Sequence, residues 1–216
     1  MKFLKQVGDY IQMNRADFDK NLIIHLQLSL IALLIAIVIA VPIGVYAAKH
    51  AKVGGRLIGL FNAIRVIPSL AILVLVLPLM GMGFYPALLA LTILAIPPIL
   101  INTYSGLQQI NPDTLEAAAG MGMGNTYRLR KIELPLAALP VIAGIRLAAI
   151  EVISSATLAA FIGGGGLGTY VMMGMSMYDT SIMLVGALPV TGIALISELF
   201  FSVIEFYLKK KYGIGE

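Results

Sequence analysis

Five charged side chains stand inside long apolar runs: Arg65, Arg146, Glu151, Glu198 and Glu205. An unpaired charge at the centre of a bilayer costs at least about 2.5 to 3.5 kcal/mol, so each of them must face protein or water. Glu151, Ser154 and Ser155 share a helix face by their three- and four-residue spacing, which lets them line an aqueous route or satisfy a neighbouring helix. Gly163, Gly165 and Gly168 satisfy GxGxxG, but no strand precedes them and no acid follows about 20 residues on, so a dinucleotide site is rejected. The run Gly163, Gly164, Gly165, Gly166 reads instead as a tight, mobile turn, followed by a loop or partly re-entrant segment to Ser181. Met172, Met173, Met175 and Met177 have the softness to ligate Cu(I), yet no Cys or nearby His supports a metal site, and methionine is equally a packing residue. His25 and His50 are far apart in sequence and read as interfacial residues. With no cysteine there is no thiolate nucleophile, and with no GxxxxGK[ST] any ATP that drives this protein must be bound by another chain. No catalytic residue, metal or cofactor is expected on the chain itself.

The most polar stretch is residues 111–135, NPDTLEAAAGMGMGNTYRLRKIELP. Asn111 before Pro112 predicts a helix start, with Asn111 as N-cap, proline at the first helical position, and Asp113 and Glu116 placing negative charge in the first turn. Ala117, Ala118 and Ala119 keep that helix slim over about two turns, and Gly120, Gly122 and Gly124 stop it. A second helical stretch from about Asn125 then leads through Leu129 and Ile132 toward the next apolar run, with Arg128, Arg130 and Lys131 near anionic headgroups. A slim, capped helix with an exposed acid suits a groove on a cytosolic partner; the alternative is an ordinary solvated loop.

The elements that must position these residues follow from composition. A chain of 216 residues, 59% hydrophobic and only 12% charged, with mean hydropathy +0.94, is an all-α integral membrane protein by its pattern. Five runs reach the roughly 17 to 25 residues that a membrane crossing needs: 22–48, 57–79, 84–102, 136–162 and 182–208. The first is too long for a signal peptide. Residues 1–21 form an extracytoplasmic segment in which Phe3, Leu4, Val7, Tyr10 and Ile11 fall on one face of a possible interfacial helix. The membrane-spanning body covers 22–208, and 209–216 is a C-terminal tail. Lys49, Lys52, Arg56, Arg128, Arg130, Lys131, Lys209, Lys210 and Lys211 all fall on one side in this topology. The positive-inside rule makes that side cytoplasmic, with the N-terminus outside, the C-terminus inside and residues 111–135 in the cytoplasm. Each span contains proline, which predicts a packed bundle of bent helices and not a lone anchor. The odd number of spans and the absence of a visible internal repeat argue against an inverted-repeat carrier. At about 1.5 Å per residue Arg146 and Glu198 lie at similar depth, which predicts an ion pair between the fourth and fifth spans. Basic residues do not form a stripe with interleaved aromatics, so nucleic acid is not an expected partner; membrane lipid is.

The spacing Glu116-Ala117-Ala118, three residues, Gly122, nine residues, Ile132, one residue, Leu134-Pro135 resembles the cytoplasmic loop signature of the permease subunits of bacterial ABC importers of the type I, methionine-permease-like fold. The resemblance implies five core spans and a coupling helix seated in a cleft of the ATPase subunit, with Glu116, Ala117, Ala118, Gly122, Ile132, Leu134 and Pro135 at the coupling positions. Further segments are similar to the branch that imports glycine betaine, carnitine, choline and proline betaine: Arg65-Val66-Ile67-Pro68-Ser69-Leu70-Ala71, Asn102-Thr103-Tyr104-Ser105-Gly106-Leu107, and Gly163 to Gly168, where Gly164 replaces a more usual alanine.

By that resemblance the expected partners are a cytosolic ABC ATPase holding ATP and Mg, a second permease chain in a homodimer or heterodimer, and an extracytoplasmic substrate-binding protein that carries most of the selectivity. Arg65, Pro68, Ser69, Glu151, Ser154, Ser155, Gly163, Gly165 and Gly166 are candidate pathway or gate positions. The chain has no Trp, the best residue for a quaternary-ammonium cage, which fits selectivity residing elsewhere. Methionine or another small amino acid is the alternative cargo. An ion-coupled carrier or channel that uses the intramembrane charges is the alternative of another class, and a membrane scaffold that recruits a cytosolic protein is a third.

Overall fold

The computed structural model describes residues 2–212; Phe3 and Leu4, whose side chains were expected on the apolar face of the first helix, and the end of the tail at 213–216 lie outside the described side chains and residues. Thirteen helical segments follow one another without a strand among the described residues. Four are long and apolar enough to cross a membrane: α2 (Arg15–Lys49), α5 (Phe84–Gln108), α9 (Ala138–Ser155) and α11 (Thr180–Tyr212). Between α2 and α5 lie α3 (Ala51–Ile64) and α4 (Ser69–Met80), bent by 95° to each other.

The second apolar run, expected as one span at 57–79, is therefore a broken one. Pro68 has no N–H for the carbonyl of Ile64 and forces Ile67 out of the helical region. The end of α3 tightens accordingly, Val66 N–H donating to Ala63 O at 3.1 Å and Ile67 N–H to Ile64 O at 3.0 Å, and α4 restarts with Ala71 N–H on Pro68 O at 2.9 Å. Pro42, Pro97, Pro98 and Pro189 sit inside continuous helices. The pair nevertheless crosses the bundle once. Gly54 packs against Ala47 and Tyr104 at one end of the molecule, while Gly83 N–H, just past α4, reaches Ile162 O at 2.8 Å at the other.

Contacts fix the directions of the remaining spans. Gln108 Nε2 donates to Ala48 O at 2.8 Å and Gly44 abuts Thr103, so α2 and α5 run parallel. A Cβ at Gly144 would lie 2.7 Å from Asn102 Cβ and 2.8 Å from Pro98 O, and one at Gly106 would lie 2.7 Å from Pro140 Cβ, which together set α9 antiparallel to α5 in close contact. Ala32, Ala36 and Ala40, one helical turn apart on α2, are fully buried, as are Ala87, Ala90 and Ala95 of α5 and Ala148 of α9. Such small residues bring helix backbones together where the lipid supplies no hydrophobic drive.

Two shorter helices pack against the long spans. The stretch after the glycine turn, expected as a loop or re-entrant segment, is a ten-residue helix, α10 (Gly168–Met177), that folds back on α11 through Gly186 against Leu167 and Val171. The N-terminal helix α1 (Lys2–Met13) is present, as its apolar periodicity predicts, and packs on the bundle: Val7 joins the buried cluster of Ile153, Leu167, Tyr170, Val185 and Val190. Ser181 Oγ donates to Gln6 Oε1 at 3.0 Å and Tyr10 O–H to Met173 Sδ at 3.6 Å. No break marks residue 21, because α2 already begins at Arg15.

Candidate functional site

Between α5 and α9 the chain leaves the bundle through α6 (Pro112–Gly120) and α7 (Asn125–Arg128). Asn111 Oδ1 accepts the Asp113 N–H at 2.9 Å, with Pro112 at the first helical position. The helix ends where Met121 N–H bonds Ala117 O at 3.0 Å and Met123 N–H bonds Ala118 O at 3.2 Å, with Gly122 at φ +80°, a conformation that any Cβ disfavours. Glu116, Ala117 and Gly122 are exposed, whereas Ala118 is 1% exposed. Of the helix and its turn, then, Glu116, Ala117 and Gly122 present a surface to a partner and Ala118 packs inward.

Ile132, Leu134 and Pro135 are not on that surface. They form the returning stem with a π-helical turn, Leu129–Glu133, closed by Leu134 N–H on Leu129 O, and the short α8 (Leu134–Leu136). Pro135 cannot bond the carbonyl four residues back and its ring crowds it, so a wider turn is the low-cost geometry. The extra residue in that turn directs Glu133 inward: it is 2% exposed. Its Oε1 accepts Arg128 Nε at 3.0 Å, and its Oε2 is ion-paired with Lys49 at the end of α2. Sequence reasoning missed this cluster. The available signal was an acid, the residue between Ile132 and Leu134, set within one turn of Arg130 and Lys131 beside a proline.

Arg146 is shared by two acids of α11. Its Nε donates to Glu198 Oε2 at 2.8 Å and Nη1 to Glu205 Oε2 at 2.9 Å, and Nη2 also contacts Glu198. A guanidinium fork can serve three such bonds at once where an ammonium cannot hold the same planar geometry.

The proposed pathway residues divide. Arg65 and Pro68 are exposed at the break between α3 and α4, Ser69 and Glu151 are half-buried, Ser154 is exposed, and Ser155 is turned into the core. At the opposite end from α6, the three glycines Gly163, Gly165 and Gly166 have φ of +74°, +74° and +88° and lie beside Met82, Asn21 and His25. His25, expected at an interface, is instead fully buried under Gly166, while His50 is exposed and stacks on Tyr46 at 4.2 Å. Among the described residues no group of three or more His, Cys, Asp or Glu could hold a metal ion.

Comparison with known proteins gives the same picture. The profile of the family described as "Binding-protein-dependent transport system inner membrane component" matches residues 40–210. The choline transport system permease protein OpuBB of Bacillus subtilis is 40% identical over 202 residues, covering 94% of this chain and 93% of its own. The glycine betaine/carnitine/choline transport system permease protein OpuCB of the same organism is 41% identical with the same coverage. The carnitine transport permease protein OpuCB of Listeria monocytogenes is 40% identical over 87% of this chain and 86% of its own. Among solved structures, an inward-facing form of the MetNI methionine ABC transporter superposes with TM-score 0.83 at 20% identity, over 90% of this chain and 97% of that one, which shows a shared fold.

Proposed function

We propose, because this chain belongs to the binding-protein-dependent transport system inner membrane components, the permease subunits of ABC importers, that its cargo is a small osmoprotectant of the quaternary-amine class. Glycine betaine, carnitine, choline and proline betaine are the candidate members. What supports the cargo is the wording of relatives at 40 to 41% identity over nearly the whole chain. The methionine transporter shares the fold at 20% identity, which says nothing of cargo. Three of the five intramembrane charges, Arg146, Glu198 and Glu205, are engaged with one another and so give no support to an ion-coupled carrier.

Residues 111–135 dock a cytosolic ATPase that holds the ATP and Mg, and the observation that carries this reading is the exposure of Glu116, Ala117 and Gly122 on a capped helix standing off the bundle. The basic residues at that end put it in the cytoplasm, with the N-terminus outside and the C-terminal lysines inside. In this reading 1–21 is extracytoplasmic, 22–208 is the membrane body and 209–216 a cytoplasmic tail.

A second permease chain, identical or related, completes the pathway. Irregular backbone at membrane depth is tolerated only where it is buried in protein or lines water. Arg65, Val66, Ile67 and Pro68 form such a stretch, and they are exposed in the single chain. The second chain faces this break, and Arg65, Pro68, Ser69, Glu151 and Ser154 border the route between the two; Ser155 packs behind it. Closure of the ATPase pair on ATP draws the two docked loops together and opens the far end near Gly163, Gly165 and Gly166, where a separate binding protein delivers cargo; hydrolysis returns the route to the cytoplasm. The chain makes and breaks no bond.

Uptake of labelled glycine betaine into vesicles bearing the permease, its ATPase and binding protein tests both parts. Uptake is expected to be ATP-driven and vanadate-sensitive, to be inhibited by choline and carnitine but not methionine, and to fall in Glu116→Ala and Gly122→Trp with insertion unchanged. Competition by methionine alone would overturn the cargo; full uptake in both variants would overturn the docking role.

A further inference from the structure

We infer that Glu133 is a positioning residue that fastens the docking loop to α2, so that movement of the loop is delivered to α2 as well as to α5 and α9. The inference rests on the reading of 111–135 as the ATPase-docking loop.

The path by which force could leave α6 is narrow. Along α6 only Ala118 is buried. Between Leu115 of α6 and the end of α2 is an open cleft of about 210 Å³, bordered by Lys49, Leu107, Gln108, Ile110, Pro112 and Glu133. What bridges it is polar and lies at the two stems. On the outgoing stem Gln108 Nε2 holds Ala48 O at 2.8 Å. On the returning stem Glu133 pairs with Lys49, the next residue along α2. Two consecutive residues at the end of one span thus hold both ends of the loop.

The chemistry favours a clasp over a passive surface pair. The Glu133 side chain is 3% exposed, so its charge is withdrawn from water and needs both cations: Arg128 on one oxygen, from within the loop, and Lys49 on the other, from outside it. Removing one partner of a buried pair leaves the other uncompensated. Lys49 is also the last residue of α2, where a cation is favoured by the helix dipole. Arg128 therefore sets the carboxylate within the loop, and Lys49 ties that carboxylate to the bundle.

The test is the number of glycine betaine molecules moved per ATP hydrolysed by the reconstituted complex of two permease chains, ATPase and binding protein. Glu133→Gln and Lys49→Met are expected to lower that ratio about tenfold, the scale of a lost charge-assisted bond, while ATP hydrolysis persists. Lys49→Arg, which keeps a cation at the end of α2 for the Glu133 carboxylate, is expected to retain most of it, which a loss caused merely by altering that position would not do. Lys49→Met is the safer variant for folding, because Lys49 is on the helix surface and Glu133 keeps Arg128. An unchanged ratio in Lys49→Met, or a ratio that falls as far in Lys49→Arg as in Lys49→Met, overturns the inference. Gly122→Trp separates the two readings: if it leaves uptake intact, the docking role itself has failed; if it abolishes uptake while Lys49→Met keeps a normal ratio, only the clasp has.

Discussion

Arg146 carries an arrangement that a lysine could not copy. One planar group donates to Glu198 through two nitrogens and to Glu205 through a third, with all three side chains only partly exposed. Substituting it leaves two acids of α11, about two helical turns apart, without the cation they share. Arg146→Gln is expected to destabilise the folded permease by roughly 2 kcal/mol, below the 3 to 5 kcal/mol range for fully buried pairs because water reaches this one. Glu205→Gln, which removes one neutralisable bond, is expected to cost about 1 kcal/mol. Thermal unfolding of detergent-solubilised protein reads both, and equal midpoints for Arg146→Gln and the parent would remove the stabilising role. At this scale the sequence was partly legible. Depth along two antiparallel helices was enough to join Arg146 to Glu198, since it needs only rise per residue. The third member, Glu205, and the burial of Glu133 depended on side-chain direction and on a π turn, neither of which a 3.6-residue period conveys.

Among the elements, the break at Arg65 to Pro68 is the one whose meaning depends on a neighbour. Apolar run length measured α2, α5 and α11 well because hydrocarbon thickness sets a minimum that those helices exceed. The same criterion read 57–79 as a single span because it does not register direction, and a proline inside a run looks alike whether the helix absorbs it, as at Pro42, or breaks, as at Pro68. Beside the break Val66 is 82% exposed in the single chain. The natural chain lacks cysteine, so a single introduced thiol reports its own surroundings. In the assembled transporter Val66→Cys is expected to react with a membrane-impermeant maleimide and Leu75→Cys on α4 to be protected by lipid. Protection of both would mean that the break is packed against protein or lipid and does not border an aqueous route. The helix at 111–120 was legible for the opposite reason, because its cap, proline and stop glycine act locally and need no partner.

For the whole molecule, the bundle has two chemically different ends. One gathers Lys49, Arg128, Glu133 and the exposed α6; the other gathers α1, α10 and the glycine turn. The five-span plan could be read from hydropathy, but the docking of α1 onto α10 and α11 could not, since amphipathic periodicity marks an apolar face without saying whether lipid or protein covers it. The central claim is that the α6 end meets an ATPase. A cysteine placed at the exposed Ala117, in this cysteine-free chain, and treated with a short bifunctional thiol-to-amine reagent in native membranes tests it directly. The account predicts a cross-linked product containing the ATPase subunit from Ala117→Cys and none from Met175→Cys on α10. A product from Met175→Cys, with none from Ala117→Cys, would contradict it.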